Sequence, residues 1–254
     1  MNSLKNKNVF ISGSDQGIGY ATAKALIDEG CHIALHYHVG GNGAKELCEY
    51  AKNKGVKAIV LSADLMKEQE AVECVNKAAE ALGGIDIVVN NAGGIVARKW
   101  LGEIEHDFWQ TVIDLNMTSM MYVTQAALPF LKKAADGASI INLASLAGRC
   151  GGHAGSLVYS TTKGAIITWT RSLAAELGPY GIRVNAVAPG LILGTRFHNV
   201  HTTKESAEAT IKTIPLGRAG NSEDVARAIT FLASEYSGFI SGATLDINGG
   251  VYRA

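Results

Sequence analysis

Short runs of β-branched and aliphatic residues recur along this chain, each separated from the next by a longer stretch in which apolar positions return every three or four residues. The short runs predict strands over residues 8–12, 32–37, 57–62, 85–90, 138–143, 182–188 and 244–247. The longer stretches predict helices over 17–29, 43–54, 68–82, 106–133, 156–177 and 222–234. The last helix opens on Asn221-Ser222-Glu223-Asp224, where a capping oxygen and two carboxylates suit a first helical turn.

Alternation of this kind builds a parallel sheet wrapped by helices on both faces. The expected fold is therefore α/β: a doubly wound, seven-stranded parallel sheet of the Rossmann kind, in one domain over residues 1–254. No linker, low-complexity tract or repeat breaks the pattern. Residues 191–215 do change its rhythm. They follow Ala188-Pro189-Gly190, read as helical only near 204–212, and rejoin the pattern at Pro215-Leu216-Gly217. Beyond the carboxyl end of a strand, such a segment is expected to serve as a substrate lid, although a plain surface insertion would look the same.

Composition narrows the function classes. With 254 residues, 47% apolar and 18% charged, the chain can bury one large core as an ordinary soluble globule. Its 23 basic residues balance 23 acidic ones, so no net field draws it to nucleic acid or to an anionic membrane. Residues 1–7 pass into an apolar strand without the pattern of an export signal, and no apolar run approaches the roughly 18 residues of a membrane span. A cytoplasmic setting is expected. Cysteines 31, 48, 74 and 150 form no CxxC pair and read as small buried hydrophobes. His36 with His38, and His198 with His201, could each share a face, but neither pair has a third ligand nearby, so no metal is expected.

The candidate chemistry lies at strand ends. The first strand runs through Ser12-Gly13-Ser14-Asp15-Gln16-Gly17-Ile18-Gly19 into a helix, a turn that lets backbone N–H groups and a helix amino end approach a pyrophosphate. Its spacing is G-x-x-x-G-x-G, not the general G-x-G-x-x-G. The second strand ends in His36-Tyr37-His38-Val39 with no carboxylate to repel a 2′-phosphate and no strong cation to attract one, which weakly favours NADP(H) over NAD(H). Asp64, beside Leu65, follows the third strand, where it could accept from an adenine amino group. Asn91, Ala92 and Gly93 follow the fourth, small enough to pack against a cofactor. In "VYSTTKG", Tyr159 and Lys163 are four positions apart on a predicted helix, so the ammonium could lower the phenol's pKa toward the range of an acid/base catalyst.

Taken in order, "SGSDQGIG", "NNAG", "YSTTK", "VNAVAPG" and "SGATLDINGG" resemble the short-chain dehydrogenase/reductase family over nearly the whole chain. The resemblance implies a tetrad. Tyr159 would exchange a proton with the carbonyl or alcohol oxygen, Lys163 would tune the phenol and bond the nicotinamide ribose, Ser145 would hold the substrate oxygen, and Asn116 would support the lysine through a water. It also implies a cofactor site made of Gly13, Ser14, Gln16, Gly17, Ile18, Gly19, His36, Tyr37, His38, Asp64, Leu65, Asn91, Ala92, Gly93, Tyr159, Lys163, Pro189, Gly190 and Ile192. Two departures stand out. Ser145 and Tyr159 are fourteen positions apart, one more than is usual in the family, and Ser12 replaces the usual threonine.

Leu146, residues 149–155, Gly94-Ile95-Val96, Leu191-Ile192 and the lid would wall the substrate pocket, with Arg149 or Arg98 at its edge. The pattern looks most like 3-oxoacyl carrier-protein reductases and the related glucose and polyol dehydrogenases. A ketone reductase is expected, with a 3-oxoacyl thioester as a candidate substrate and a sugar or polyol dehydrogenase as the alternative. A non-catalytic nicotinamide sensor would keep the fold but would have no need of all four tetrad residues. The family implies a homotetramer, with helices near 108–131 and 156–177 as candidate interfaces.

Overall fold

A computed structural model describes residues 2–134, 137–195 and 202–253. Seven parallel strands form a single sheet in the order β3-β2-β1-β4-β5-β6-β7. They are β1 (Asn8–Ile11), β2 (His32–Tyr37), β3 (Ala58–Ser62), β4 (Ile87–Asn90), β5 (Ala138–Leu143), β6 (Ile182–Pro189) and β7 (Thr244–Ile247). Strand order reverses between β1 and β4, whose register pairs Val9 with Ile87 and Ile11 with Val89. At such a switch point the loops beyond the carboxyl ends part and leave a crevice.

Alternation of side chains divides the core. Val9 and Ile11 of β1 face one layer with Ile33 and Leu35, and pack under α1 (Gly17–Asp28), α2 (Asn42–Asn53) and α9 (Ser222–Ala233). Phe10 faces the other layer with Val88 and Ile140, under α3 (Glu68–Leu82) and α5 (Ser119–Leu131). The long helix α7 (Leu157–Leu177) covers a smaller third cluster, in which Ile166 and Ile167 meet Ala144, Ala186 and Ala188. Among the described residues, no helix is long and apolar enough to cross a membrane.

Two elements differ from the sequence expectation. The helix expected over 106–133 is α4 (His106–Ile113), a wide π-helical turn (Asp114–Thr118) and α5. The break turns Asn116 inward, where its Nδ2 donates to Val112 O at 2.9 Å and substitutes for part of the regular ladder. A short helix, α6 (Leu146–Cys150), follows β5. The Ser145 hydroxyl caps it by accepting from Ala147 N at 3.1 Å. In the lid segment the structure places α8 (Lys204–Ile211), capped by Thr203. The rest of the expected lid over 196–201, His198 and His201 included, lies outside the described residues.

Candidate active site

A cavity of about 910 Å³ runs over the carboxyl ends of the strands, from Gly13, Asp15 and Gln16 at the first turn to Ser145, Tyr159 and Lys163 at the far end. The first turn is rigid. Ser12 Oγ accepts from the N–H groups of Asn91 and Ala92, both at 3.0 Å, and Asn91 Nδ2 donates to Ser12 O at 2.9 Å and Gly13 O at 2.7 Å. Serine therefore does the tying that this position requires, and its exchange for threonine costs no hydrogen bond. Gly13 adopts φ +67°, and a Cβ on Gly19 would overlap the Gly13 carbonyl oxygen, so only glycine lets α1 start so close to β1. Gln16, the N-cap of α1, makes no side-chain cap bond. The helix's first N–H groups thus remain available to an anion.

At the other end, burial governs the chemistry. Lys163 is 4% exposed, its Nζ donates to Leu143 O at 2.7 Å, and loss of water pulls its pKa down to about 7. Nζ lies 5.7 Å from the centre of the Tyr159 ring. Desolvation raises the Tyr159 pKa, and a hydrogen bond with the Ser145 side chain partly opposes the rise. The pair is buried together, and burial acts on the tyrosine more strongly than that hydrogen bond does. The Ser145–Tyr159 hydrogen bond forms across their fourteen-position separation, and Gly151, Gly152 and Gly155 in the turn between them adopt positive φ.

Asn116 is buried and holds Gly94 from both sides, its Oδ1 accepting from Gly94 N at 3.1 Å and its Nδ2 donating to Gly94 O at 2.9 Å. Its amide is thus committed to the loop after β4. A Cβ on Gly93 would stand 2.6 Å from Asn116 Oδ1 and 3.4 Å from Lys163 Nζ, so this glycine keeps open a cradle beside the lysine. A nicotinamide dinucleotide fits this chain: glycines and a bare helix end at one extremity, and a phenol, an ammonium and a hydroxyl at the other.

Of the residues expected to meet the cofactor, Gly13, Gln16, Gly17, Ile18, His36, Tyr37, His38, Asn91, Ala92, Gly93, Tyr159, Lys163, Pro189, Gly190 and Ile192 line the cavity. Ser14, Gly19, Asp64 and Leu65 lie off its wall. Ser14 Oγ donates to His36 O, Asp64 Oδ1 accepts from Met66 N within its own loop, and Leu65 is buried in the core. His36 lines the cavity but offers no cation. Gly13 N donates to its Nδ1 at 3.1 Å, which leaves Nε2 as the donor to Ala63 O at 3.0 Å, and burial lowers its pKa to about 4. It is a neutral brace between the first turn and the end of β3.

The end of the cavity beside Ser145 and Tyr159 includes Gly94, Ile95, Arg98, Leu146, Cys150, His153 and, from α8, Ser206 and Thr210. Arg149 is turned away, paired with Asp246 at 3.1 Å and bonded to Thr244 O at 3.0 Å. Its guanidinium is therefore engaged by β7 and not offered to a substrate. Arg98 Nη1 donates to Ala154 O at 3.1 Å and stays on the wall. Several wall residues were not singled out by the sequence reading, among them Thr195, Asp15, Leu115, Ala147 and Val251. Thr195 lies where a Cβ on Gly17 would meet it at 3.4 Å, and its only signal was a hydroxyl residue a few positions beyond β6. Asp15 was hidden inside the glycine turn.

A family model described as enoyl-(acyl carrier protein) reductase matches residues 13–252. The chain belongs to the short-chain dehydrogenase/reductase family. It is 34% identical over 247 residues to the 3-oxoacyl-[acyl-carrier-protein] reductase FabG of Staphylococcus epidermidis, covering 97% of this chain and 99% of that protein. It is 35% identical over 249 residues to glucose 1-dehydrogenase 2 of Bacillus subtilis, covering 98% and 95%. The structure of the NADH-dependent reductase A1-R′, described as complexed with NAD, matches it with a TM-score of 0.88 at 33% identity, covering all of both chains. A short-chain dehydrogenase from Burkholderia cenocepacia in complex with NADP matches with a TM-score of 0.91 at 30% identity, covering 98% and 99%. This short-chain dehydrogenase/reductase is an NAD(P)-dependent oxidoreductase.

Proposed function

We propose that this family member reduces a ketone to a secondary alcohol, with a 3-oxoacyl thioester as the first candidate substrate. The observation that carries the reading is the Tyr159 phenol, hydrogen-bonded to Ser145 and close to buried Lys163. Asn116, Ser145, Tyr159 and Lys163 act as its tetrad. A bound reduced nicotinamide supplies the hydride, which no side chain can provide. Tyr159 gives its phenolic proton to the carbonyl oxygen as the carbon becomes a carbinol, and then recovers a proton from solvent. Ser145 donates to the same oxygen as it takes on charge. Lys163 faces the resulting phenolate with its ammonium, and Asn116 holds Gly94 so that the floor beside the lysine keeps its shape.

A sugar or polyol substrate is the second reading, supported by His153, Ser206 and Thr210, which bring polar groups to the same wall as Ile95 and Leu146. Residues 191–215 act as the lid in either case, since α8 lends Ser206 and Thr210 to the cavity. Exposed Trp109 and Leu157, on the helices expected to form interfaces, support a homotetramer. The four free thiols suit a cytoplasmic setting.

Oxidation of NADH and NADPH in the presence of a short 3-oxoacyl thioester, and reduction of both oxidised cofactors by a set of sugars and polyols, separates the two substrates. Tyr159→Phe is expected to bind nucleotide like the wild type and to lose turnover by about a hundredfold or more. Undiminished turnover in that variant would remove the phenol from the mechanism.

A further inference from the structure

The second strand of the sheet ends without a carboxylate of its own, yet one stands beside its end. Asp15 lies in the β1–α1 turn, and its Oδ1 accepts from Ala44 N at 3.0 Å in the first turn of α2. The N-cap residue of α2, Gly41, supplies no side-chain cap, so Asp15 closes that helix end from across the loop that follows β2. The approach is close. A Cβ on Gly43 would overlap the Asp15 carbonyl oxygen, and one on Gly40 would stand 2.9 Å from Asp15 Oδ2. Oδ2 makes no hydrogen bond or ion pair among the described residues.

This carboxylate lines the cavity together with Tyr37, His38 and Val39. Among the described residues, the lysine and arginine on the cavity wall are Lys163 and Arg98, and both lie at the far end, bonded to Leu143 O and Ala154 O. His36 is buried and neutral. The cavity wall at the end of β2 therefore carries a carboxylate and, among the described residues, no lysine or arginine.

In dinucleotide sites of this topology, a carboxylate at the end of the second strand accepts from ribose hydroxyls and repels a 2′-phosphate. We propose that Asp15, reaching in from the first turn, is the residue that sets nucleotide preference here, directing the site toward NAD(H) and against NADP(H). This rests on the dinucleotide-binding reading of the cavity. It reverses the preference drawn from the sequence, where a carboxylate was sought on the second strand alone.

Titration of NADH and NADPH into the wild type, Asp15→Asn and Asp15→Ser, followed by nucleotide fluorescence, tests it without any substrate. Asn keeps an oxygen for Ala44 N, and thermal melting checks the fold of both variants. The wild type is expected to bind NADPH about tenfold more weakly than NADH, and both variants to tighten NADPH binding by about the same factor with no gain for NADH. Added salt should narrow the wild-type gap by screening the repulsion, a readout that needs no variant. Equal wild-type affinities, or a gap that persists in the variants and at high salt, overturns the role of Asp15 and leaves the reductase reading intact. If folded wild type binds neither nucleotide, the dinucleotide reading itself fails and this inference falls with it.

Discussion

Burial works against the charged forms of both Tyr159 and Lys163, and that sets the pH behaviour of the site. With its pKa raised, the phenol keeps its proton throughout the neutral range, so the fall in carbonyl reduction expected there, through about pH 7, follows loss of the Lys163 ammonium and not of the phenolic proton. Alcohol oxidation needs the phenolate, and its rate should climb as the pH rises. Initial rates in the two directions across pH check this; an oxidation rate that falls with rising pH would contradict it. Lys163 has a second consequence. Its folded pKa, about 7, lies below its ordinary value, so the unfolded chain binds more protons between pH 7 and 10.5. The cost of burying the ammonium is complete below pH 7 and disappears as the pH passes 10.5. Relative to Lys163→Met, the wild type should therefore gain stability as the pH is raised through that window, as measured by denaturant melts at several pH values. The shared helix face of Tyr159 and Lys163 could be read from their four-residue spacing, and the place of Ser145 from the end of the fifth apolar run. The buried state of His36 and the reach of Asp15 could not, since each depends on which loop crosses a strand end, and Asp15 meets a partner 29 positions away.

At the scale of elements, the strands were legible because a parallel sheet buried on both faces reads as nearly continuous apolar runs. Helix ends were legible where a cap marks them. Asn221 accepts from Asp224 N at 2.9 Å, and Asp224 Oδ2 accepts from Asn221 N at 3.0 Å. The π-helical turn at Asp114–Thr118 was not legible. Its apolar spacing continues that of the flanking helices, and only the tertiary demand of Gly94 explains why Asn116 turns inward. Asn116→Ala would leave the Gly94 N–H and C=O and the Val112 C=O without this partner, at a cost of about 1–3 kcal/mol. Because the floor beside Lys163 loosens with it, turnover should fall further than stability alone explains. Chemical denaturation and single-turnover rates on the same variant separate the two effects; full turnover in a destabilised protein would reduce Asn116 to a structural role.

For the whole molecule, a topological switch between β1 and β4 gathers loops from six strands over one crevice, and the chemistry at its two ends belongs to different halves of the chain. The first half brings the glycine turn and Asp15; the second brings Ser145, Tyr159 and Lys163. Light scattering should give four times the chain mass, and Trp109→Glu should lower it if α4 and α5 form an interface; a monomer at micromolar concentration would count against the tetramer. The most direct test of the catalytic reading is transfer of deuterium from labelled reduced nicotinamide to a ketone, measured in wild type and in Tyr159→Phe under conditions where both bind nucleotide. The wild type should place the label on the carbinol carbon, and the variant should do so at least about a hundredfold more slowly. Equal transfer by the two proteins, or turnover that leaves the carbinol carbon unlabelled, would contradict hydride reduction assisted by Tyr159.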